Sequence, residues 1–142
     1  MIVLDANLLI YSYDTASPDH RKSRAWLEDI FSEAEPVGLP WQTVTAFLRV
    51  VSNRKFPRSR LTLEQCVQIV DHWLEQPNVR IMVPGNEHWS VLKRMVVEGR
   101  AAGPLVSDAE IAALTVEYGG VLYTTDRDFA RFPGLRWKNP LA

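Results

Sequence analysis

The chain has 142 residues, 46% of them hydrophobic and 23% charged, with a formal net charge of −1. This balance predicts one globular domain, residues 1–142, and supplies no overall positive field, so a nucleic-acid partner needs a local basic patch or bound cations. The single cysteine, Cys66, excludes an intrachain disulfide and a cysteine-rich metal site, and no apolar run approaches the ~20 residues of a membrane span, so we expect a cytoplasmic protein.

Strands and helices alternate in the first half of the chain. Residues 2–4 are a continuous apolar run, which predicts a strand buried on both faces, and Asp5 ends it. The patterns that follow predict, in order, a short helix or loop at 7–11, a helix that starts near Asp19 and runs to about 34, a weak strand at 37–39 and a helix at 41–52.

A helix over 63–74 is the clearest element of the middle region, because Thr62 and Gln65 form a capping-box pair before it. Its apolar side is predicted to consist of Leu63, Val67, Val70 and Leu74. The patterns then predict a strand at 79–83, a helix capped by Asn86 that turns Trp89 inward, and, near the end of the chain, an edge strand at 135–137.

Residues 105–132 contain a loop, a helix, a glycine stop, a strand and an acidic turn. Ser107 is a good N-cap and Glu110 completes a capping box, so Asp108 falls in the first helical turn, where the helix dipole favours a carboxylate. A strand at 121–123 leads into the turn. The alternation predicts an α/β fold with a parallel sheet, and right-handed crossovers would bring the ends of the first and fourth strands to the same edge.

Three acids, Asp5, Asp108 and Asp126, lie at the ends of predicted elements, where parallel sheets bind ligands. Carboxylates held close together repel, and they take up protons unless a cation intervenes. Oxygen-only sites suit hard cations such as Mg²⁺ or Mn²⁺, which lower the pKa of a bound water and steady a displacement at phosphorus. Taken singly, each acid is more simply a helix-start, turn or strand-end residue, but together they favour a metal centre.

The sequence resembles the PIN-domain nucleases, and most closely the VapC-type ribonuclease toxins of bacterial toxin–antitoxin pairs. The resemblance rests on IVLDANLLIY, LVSDAEIAAL, YTTDRDFARFPGLRW and, for one VapC subgroup, WQTVTAFLRVVSNRKF. It implies a five-stranded parallel sheet flanked by helices and Mg²⁺-dependent cleavage of RNA, with Mn²⁺ as a substitute ion. It also implies inhibition by a cognate VapB-type antitoxin and assembly into homodimers.

The same resemblance implies roles for individual residues. Carried over by position, Asp5 and Asp108 would be catalytic metal ligands, and Asp126 a third ligand or a nearby orienting acid. The outer part of the site would contain Asn7, Thr125 and Asp128.

One position departs from the family pattern. The family usually has a glutamate on the helix after the second strand, and that place, within a residue, is Ala46 here. Thr43 and Thr45 are poor substitutes for a charged ligand. With one acid fewer, the site should hold a second cation weakly, so we expect one firmly bound metal ion and a second only alongside substrate.

A run of basic residues follows the helix predicted at 41–52. Arg49, Arg54, Lys55, Arg58 and Arg60 fall in a stretch without any acid, so they could neutralise the phosphates of a nucleic acid. The alternative is a solvated loop and helix end, where basic residues also suit the helix dipole.

Two functions other than metal-dependent cleavage of RNA remain open on the sequence. Asp5 at a strand end could be the aspartyl nucleophile of a receiver-like or phosphotransfer protein, although no well-placed lysine follows a later strand. The chain could also be a PIN domain that binds RNA or a partner without turnover, because Ala46 weakens its site.

Overall fold

A five-stranded parallel sheet forms the centre of the protein. A computed structural model describes residues 1–53 and 61–142. The strands are β1 (Ile2–Leu4), β2 (Val37–Pro40), β3 (Val79–Met82), β4 (Val121–Tyr123) and β5 (Trp137–Lys138). Their order across the sheet is β3-β2-β1-β4-β5, and every neighbouring pair is parallel.

Helices connect these strands. They are α1 (Ala6–Tyr13), α2 (His20–Ser32), α3 (Trp41–Val51), α4 (Leu63–Glu75), α5 (His88–Glu98) and α6 (Leu105–Glu117), with a 3-10 turn at Arg127–Arg131. In the ranges that the structure describes, no helix is both long and apolar enough to span a membrane. The predicted α/β architecture, a five-stranded parallel sheet flanked by helices, is confirmed.

The central strand β1 is apolar throughout because it is covered on both sides. Ile2 and Leu4 belong to a hydrophobic cluster that contains Phe47 and Trp73, whereas Val3 belongs to a second cluster built largely on α5 and α6. Successive side chains of a strand point to opposite faces, so a strand between two layers of helices needs apolar residues at every position.

The pairing of β1 with β4 brings together the residues that follow these two strands. Leu4 pairs with Tyr123 in register, and the amide of Asp5 donates a 3.2 Å hydrogen bond to the carbonyl of Tyr123. The residues that follow β1 and β4 therefore emerge side by side at the carboxyl edge of the sheet, as the crossover argument predicted.

Two predicted helix starts are wrong. The last helix, α6, begins at Leu105 after Pro104, and neither the predicted cap Ser107 nor any other side chain caps it. Proline has a fixed φ that suits a helix start, so the helix begins three residues earlier than the capping-box pattern indicates. Asp108 still lies in the first turn. The start of α5 is also later than predicted, because this helix begins at His88, two residues after Asn86. In contrast, α2 begins directly after Asp19 as predicted, although the Asp19 side chain makes no capping bond.

The inward face of α4 is also different from the predicted one. Its capping box, Thr62 with Gln65, is confirmed, but the buried side chains are Cys66, Val70 and Trp73. Trp73 is fully buried with its ring centroid 4.6 Å from that of Phe47, and such an aromatic pair decides which side of the helix turns inward. Of the predicted face, Leu63, Val67 and Leu74 are exposed, as is Trp89 of α5.

Candidate active site

Asp5 is a buried carboxylate at the end of β1. Its side chain is 6% exposed and caps α1, with Oδ1 accepting a 2.8 Å hydrogen bond from the amide of Ala6. Oδ2 accepts a 2.6 Å bond from the hydroxyl of Thr124. Each carboxylate oxygen has a further lone pair, so both can still bind another ligand.

Thr124, which the sequence analysis did not select, connects Asp5 to the acidic turn. It is fully buried, and while its hydroxyl donates to Asp5, it accepts a 2.9 Å bond from the amide of Asp126. Thr125, the predicted residue, is only partly buried. Leu4 pairs with Tyr123, so Thr124 lies beside Asp5. Thr124 could be identified in advance only if the pairing of β1 with β4 were known.

Asp126 begins the 3-10 turn. Its Oδ1 accepts a 2.8 Å hydrogen bond from the amide of Asp128, which is the geometry of a side-chain cap. Asp126 is partly buried and Asp128 is exposed. The turn thus carries two carboxylates at different depths, of which Asp126 acts electrostatically on Asp5.

Electrostatic coupling shows that the aspartates of three elements converge. Burial, the largest cause, and the charges of Asp5, Asp126 and Asp128 together raise the pKa of Asp108 to about 6, while Arg131 opposes them. Burial also raises the pKa of Asp5, which hydrogen bonds from Thr124 and Ala6 partly offset and the charge of Asp126 reinforces. Carboxylates whose charges raise the pKa of Asp5 and Asp108 in this way form a locus of unfavourable negative charge, which a cation would relieve.

The donor set fits a hard cation, although it is not already closed around one. Within the described residues, no three His, Cys, Asp or Glu side chains stand close enough together to hold an ion as they are. The donors are carboxylate oxygens, the ligands that Mg²⁺ and Mn²⁺ accept, and Mg²⁺ keeps several waters that span the remaining distance. Asp5 and Asp108 are therefore the side chains we expect to hold the ion, with Asp126 nearby.

A cleft of about 470 Å³ opens onto Asp5 and Asp108. The starts of α1 and α6 form part of its lining, and Asn7 lies there as predicted, together with Ser107. A face of α3 forms another part, contributing Gln42, Thr45, Ala46, Arg49 and Val50. The position expected to carry a glutamate thus faces this cleft with a methyl group.

The predicted basic run is only partly described. Arg49 is exposed and lines the cleft. Arg54, Lys55, Arg58 and Arg60 lie outside the described residues, so their phosphate-binding role stays a prediction.

Comparison with known proteins establishes the family. Residues 2–135 match the PIN domain family. The chain belongs to the PIN-domain family. This PIN domain is 37% identical over 143 residues to Ribonuclease VapC37 of Mycobacterium tuberculosis (strain ATCC 25618 / H37Rv), covering 100% of this chain and 99% of that protein. It is 33% identical over 141 residues to Ribonuclease VapC33 of the same organism, covering 99% of each chain.

Solved structures agree with the fold of this PIN domain. The structure of VapBC-1 from nontypeable Haemophilus influenzae superposes with a TM-score of 0.71 over 100% of both chains, at 18% identity. VapBC2 from Rickettsia felis, bound to a DNA fragment from its promoter, gives a TM-score of 0.69 over 98% of each chain, also at 18% identity. The resemblance to VapC proteins that the sequence motifs suggested is confirmed.

The raised pKa of Asp108 predicts a pH-dependent stability difference. Its folded pKa of about 6 exceeds the ordinary 3.8, so ionisation destabilises the native state fully above pH 6 and not at all well below pH 4. Asp108→Asn should therefore be more stable than the parent at pH 7.5 in EDTA, by about 1 kcal/mol after allowing for solvent screening. Thermal unfolding should show a gain of a few °C that vanishes near pH 4. An equal Tm at pH 7.5 would contradict the convergence of charge.

Proposed function

We propose that this PIN domain is a metal-dependent endoribonuclease that acts in the cytoplasm as the toxin of a type II toxin–antitoxin pair, with residues 1–142 as one nuclease domain. The observation that carries the proposal is the convergence of Asp5 and Asp108 in one cleft, where their pKa values rise. Full-length relatives named Ribonuclease VapC, at 31–37% identity, support RNA as the substrate.

Three aspartates of the chain have different roles in the proposed site. A bound divalent cation would supply a water of lowered pKa and positive charge for the phosphate. Asp5, oriented by Thr124 and the amide of Ala6, and Asp108 on α6 would hold that cation in place. Asp126, at the start of the 3-10 turn, would be a third ligand or a nearby orienting acid. Burial excludes water from Asp5, which strengthens its attraction for a cation.

We also propose a VapB-type antitoxin as partner and a homodimer as the assembly. Similar solved structures are of VapBC proteins, which supports a VapB-type partner. Co-expression with the neighbouring small reading frame, followed by size-exclusion chromatography with light scattering, tests both. A monomer that does not bind that product would contradict them.

The receiver-like alternative is not supported. The sheet order 3-2-1-4-5 differs from the 2-1-3-4-5 order of receiver domains. The carboxylate of Asp5 is also buried and bonded through both oxygens, unlike a freely accessible nucleophile. The other alternative is a PIN domain that binds RNA without cleaving it, since Ala46 supplies no carboxylate to the cleft. The cleavage experiment distinguishes it from an active ribonuclease.

Metal dependence is tested on purified protein and total RNA. Cleavage is expected with Mg²⁺ or Mn²⁺ and should stop in excess EDTA, then return when the ion is restored. Sequencing of RNA ends after induced expression would identify the target. Binding of RNA without cleavage in any divalent ion would indicate the binding-only alternative and overturn the proposed activity.

The missing glutamate predicts the metal stoichiometry. Calorimetric titration of substrate-free protein with Mn²⁺ should show one firmly held ion per chain, because Ala46 contributes no charge to a second position. Two tight sites in the parent protein would contradict this prediction.

A further inference from the structure

The α3 face of the cleft has an unusual charge for a site that holds cations. Gln42, Thr45, Ala46 and Arg49 are spaced at one helical face and all line the cleft. Among them, Arg49 is the charged residue, and it stands one turn beyond Ala46. The wall on which the family resemblance implies a glutamate is therefore neutral at Ala46 and positive at Arg49, three residues later.

The guanidinium of Arg49 is free to meet a ligand. It is exposed, and it makes no hydrogen bond or ion pair with any other residue in 1–53 or 61–142. Arg131, the cation that acts on the pKa of Asp108, is used differently. Its guanidinium donates to the carbonyls of Gly99, Arg100 and Asp128 at 3.2 to 3.3 Å and so braces the 3-10 turn.

The aspartates in and beside the cleft outnumber the cations there, so another positive group would be stabilising. Asp5 and Asp108 line the cleft, the charges of Asp126 and Asp128 also act on Asp108, and Arg131 is the one cation that acts on Asp108 within the described residues. A single divalent ion would leave the locus negative, and a phosphodiester brings a further negative charge that grows as the bond breaks. A planar guanidinium, which is always charged and donates two parallel hydrogen bonds, matches phosphate oxygens well.

We propose that Arg49 binds the scissile phosphate from the α3 wall and stabilises the charge that develops on it, in place of the charge a second metal ion would supply. This inference rests on the proposed ribonuclease function. Arg49 is then a catalytic residue. Alanine at position 46 leaves its guanidinium available to the phosphate, because a glutamate three residues before Arg49 on the helix would pair with it.

The test compares Arg49→Gln with the parent and with Arg21→Gln, an exposed arginine of α2 that does not line the cleft. Arg49→Gln should lower kcat about 100-fold and weaken binding of a short single-stranded RNA about 3- to 10-fold, with a less steep salt dependence. Mn²⁺ affinity and Tm should be unchanged. Arg49→Lys should recover only part of kcat, because the ammonium cannot bind two oxygens at once.

A double-mutant cycle locates the effect. Ala46→Glu should lower kcat by engaging Arg49, so Arg49→Gln should cost less in the Ala46→Glu background than in the parent. Strictly additive losses would overturn the proposal, as would parental kcat in Arg49→Gln or a Tm loss that explains the whole effect. If the parent itself never cleaves RNA, the ribonuclease proposal fails, and unchanged RNA affinity in Arg49→Gln then overturns the phosphate contact separately.

Discussion

Asp108→Asn is expected to lower kcat for RNA cleavage by about 1,000-fold or more, and Asp5→Asn to do the same. Each change keeps the shape of the side chain while removing a negative charge and a strong cation ligand. Because burial and neighbouring charges raise the pKa of both carboxyls, neither variant should be less stable than the parent without metal. Gel assays of RNA cleavage, with Mn²⁺ titrations beside them, measure the effect.

The control for these variants is Asp71→Asn, which removes an exposed acid of α4 that does not line the cleft. It should cleave RNA and bind Mn²⁺ as the parent does. Cleavage that persists in Asp5→Asn or Asp108→Asn would refute their assignment as catalytic ligands. Loss of cleavage together with a loss of Tm would point to misfolding instead.

Thr124→Val is expected to lower Mn²⁺ affinity and cleavage by about 10- to 100-fold, although Thr124 is not itself an expected ligand. Valine keeps the volume of the buried side chain but removes the donor of the 2.6 Å bond to Asp5. That bond lowers the pKa of Asp5, so its loss should raise this pKa and move the acidic limb of the pH–rate profile to higher pH. Cleavage rates across pH 5 to 8 measure the shift.

Two neighbouring variants make this prediction specific. Thr124→Ser keeps the hydroxyl and should retain most activity. Thr125→Val changes the adjacent, partly buried threonine that the sequence motif favoured, and its effect should be much smaller. A larger loss at residue 125 than at 124 would show that the hydrogen bond to Asp5 is not what supports the site.

The sequence was sufficient for the fold and the approximate place of the site. A strand buried on both sides requires apolar residues at every position, so the apolar run at residues 2–4 predicted such a strand. Helices between parallel strands cross over with one hand, so the ends of β1 and β4 were expected at one edge. Local patterns and the PIN resemblance together indicated Asp5, Asp108 and Asp126, and their roles as ligands stay predictions.

Only the tertiary structure decided which groups touch. The Asp5 to Thr124 bond spans 119 positions and depends on strand register, while the inward side of α4 depends on the fit of Trp73 against Phe47. Arg49 belonged to a basic run in the sequence, and only the structure places it in the lining of the cleft beside Asp5 and Asp108. Hydrophobic periodicity states which faces of an element can be buried, and the neighbour that buries them is set by contacts between distant parts of the chain.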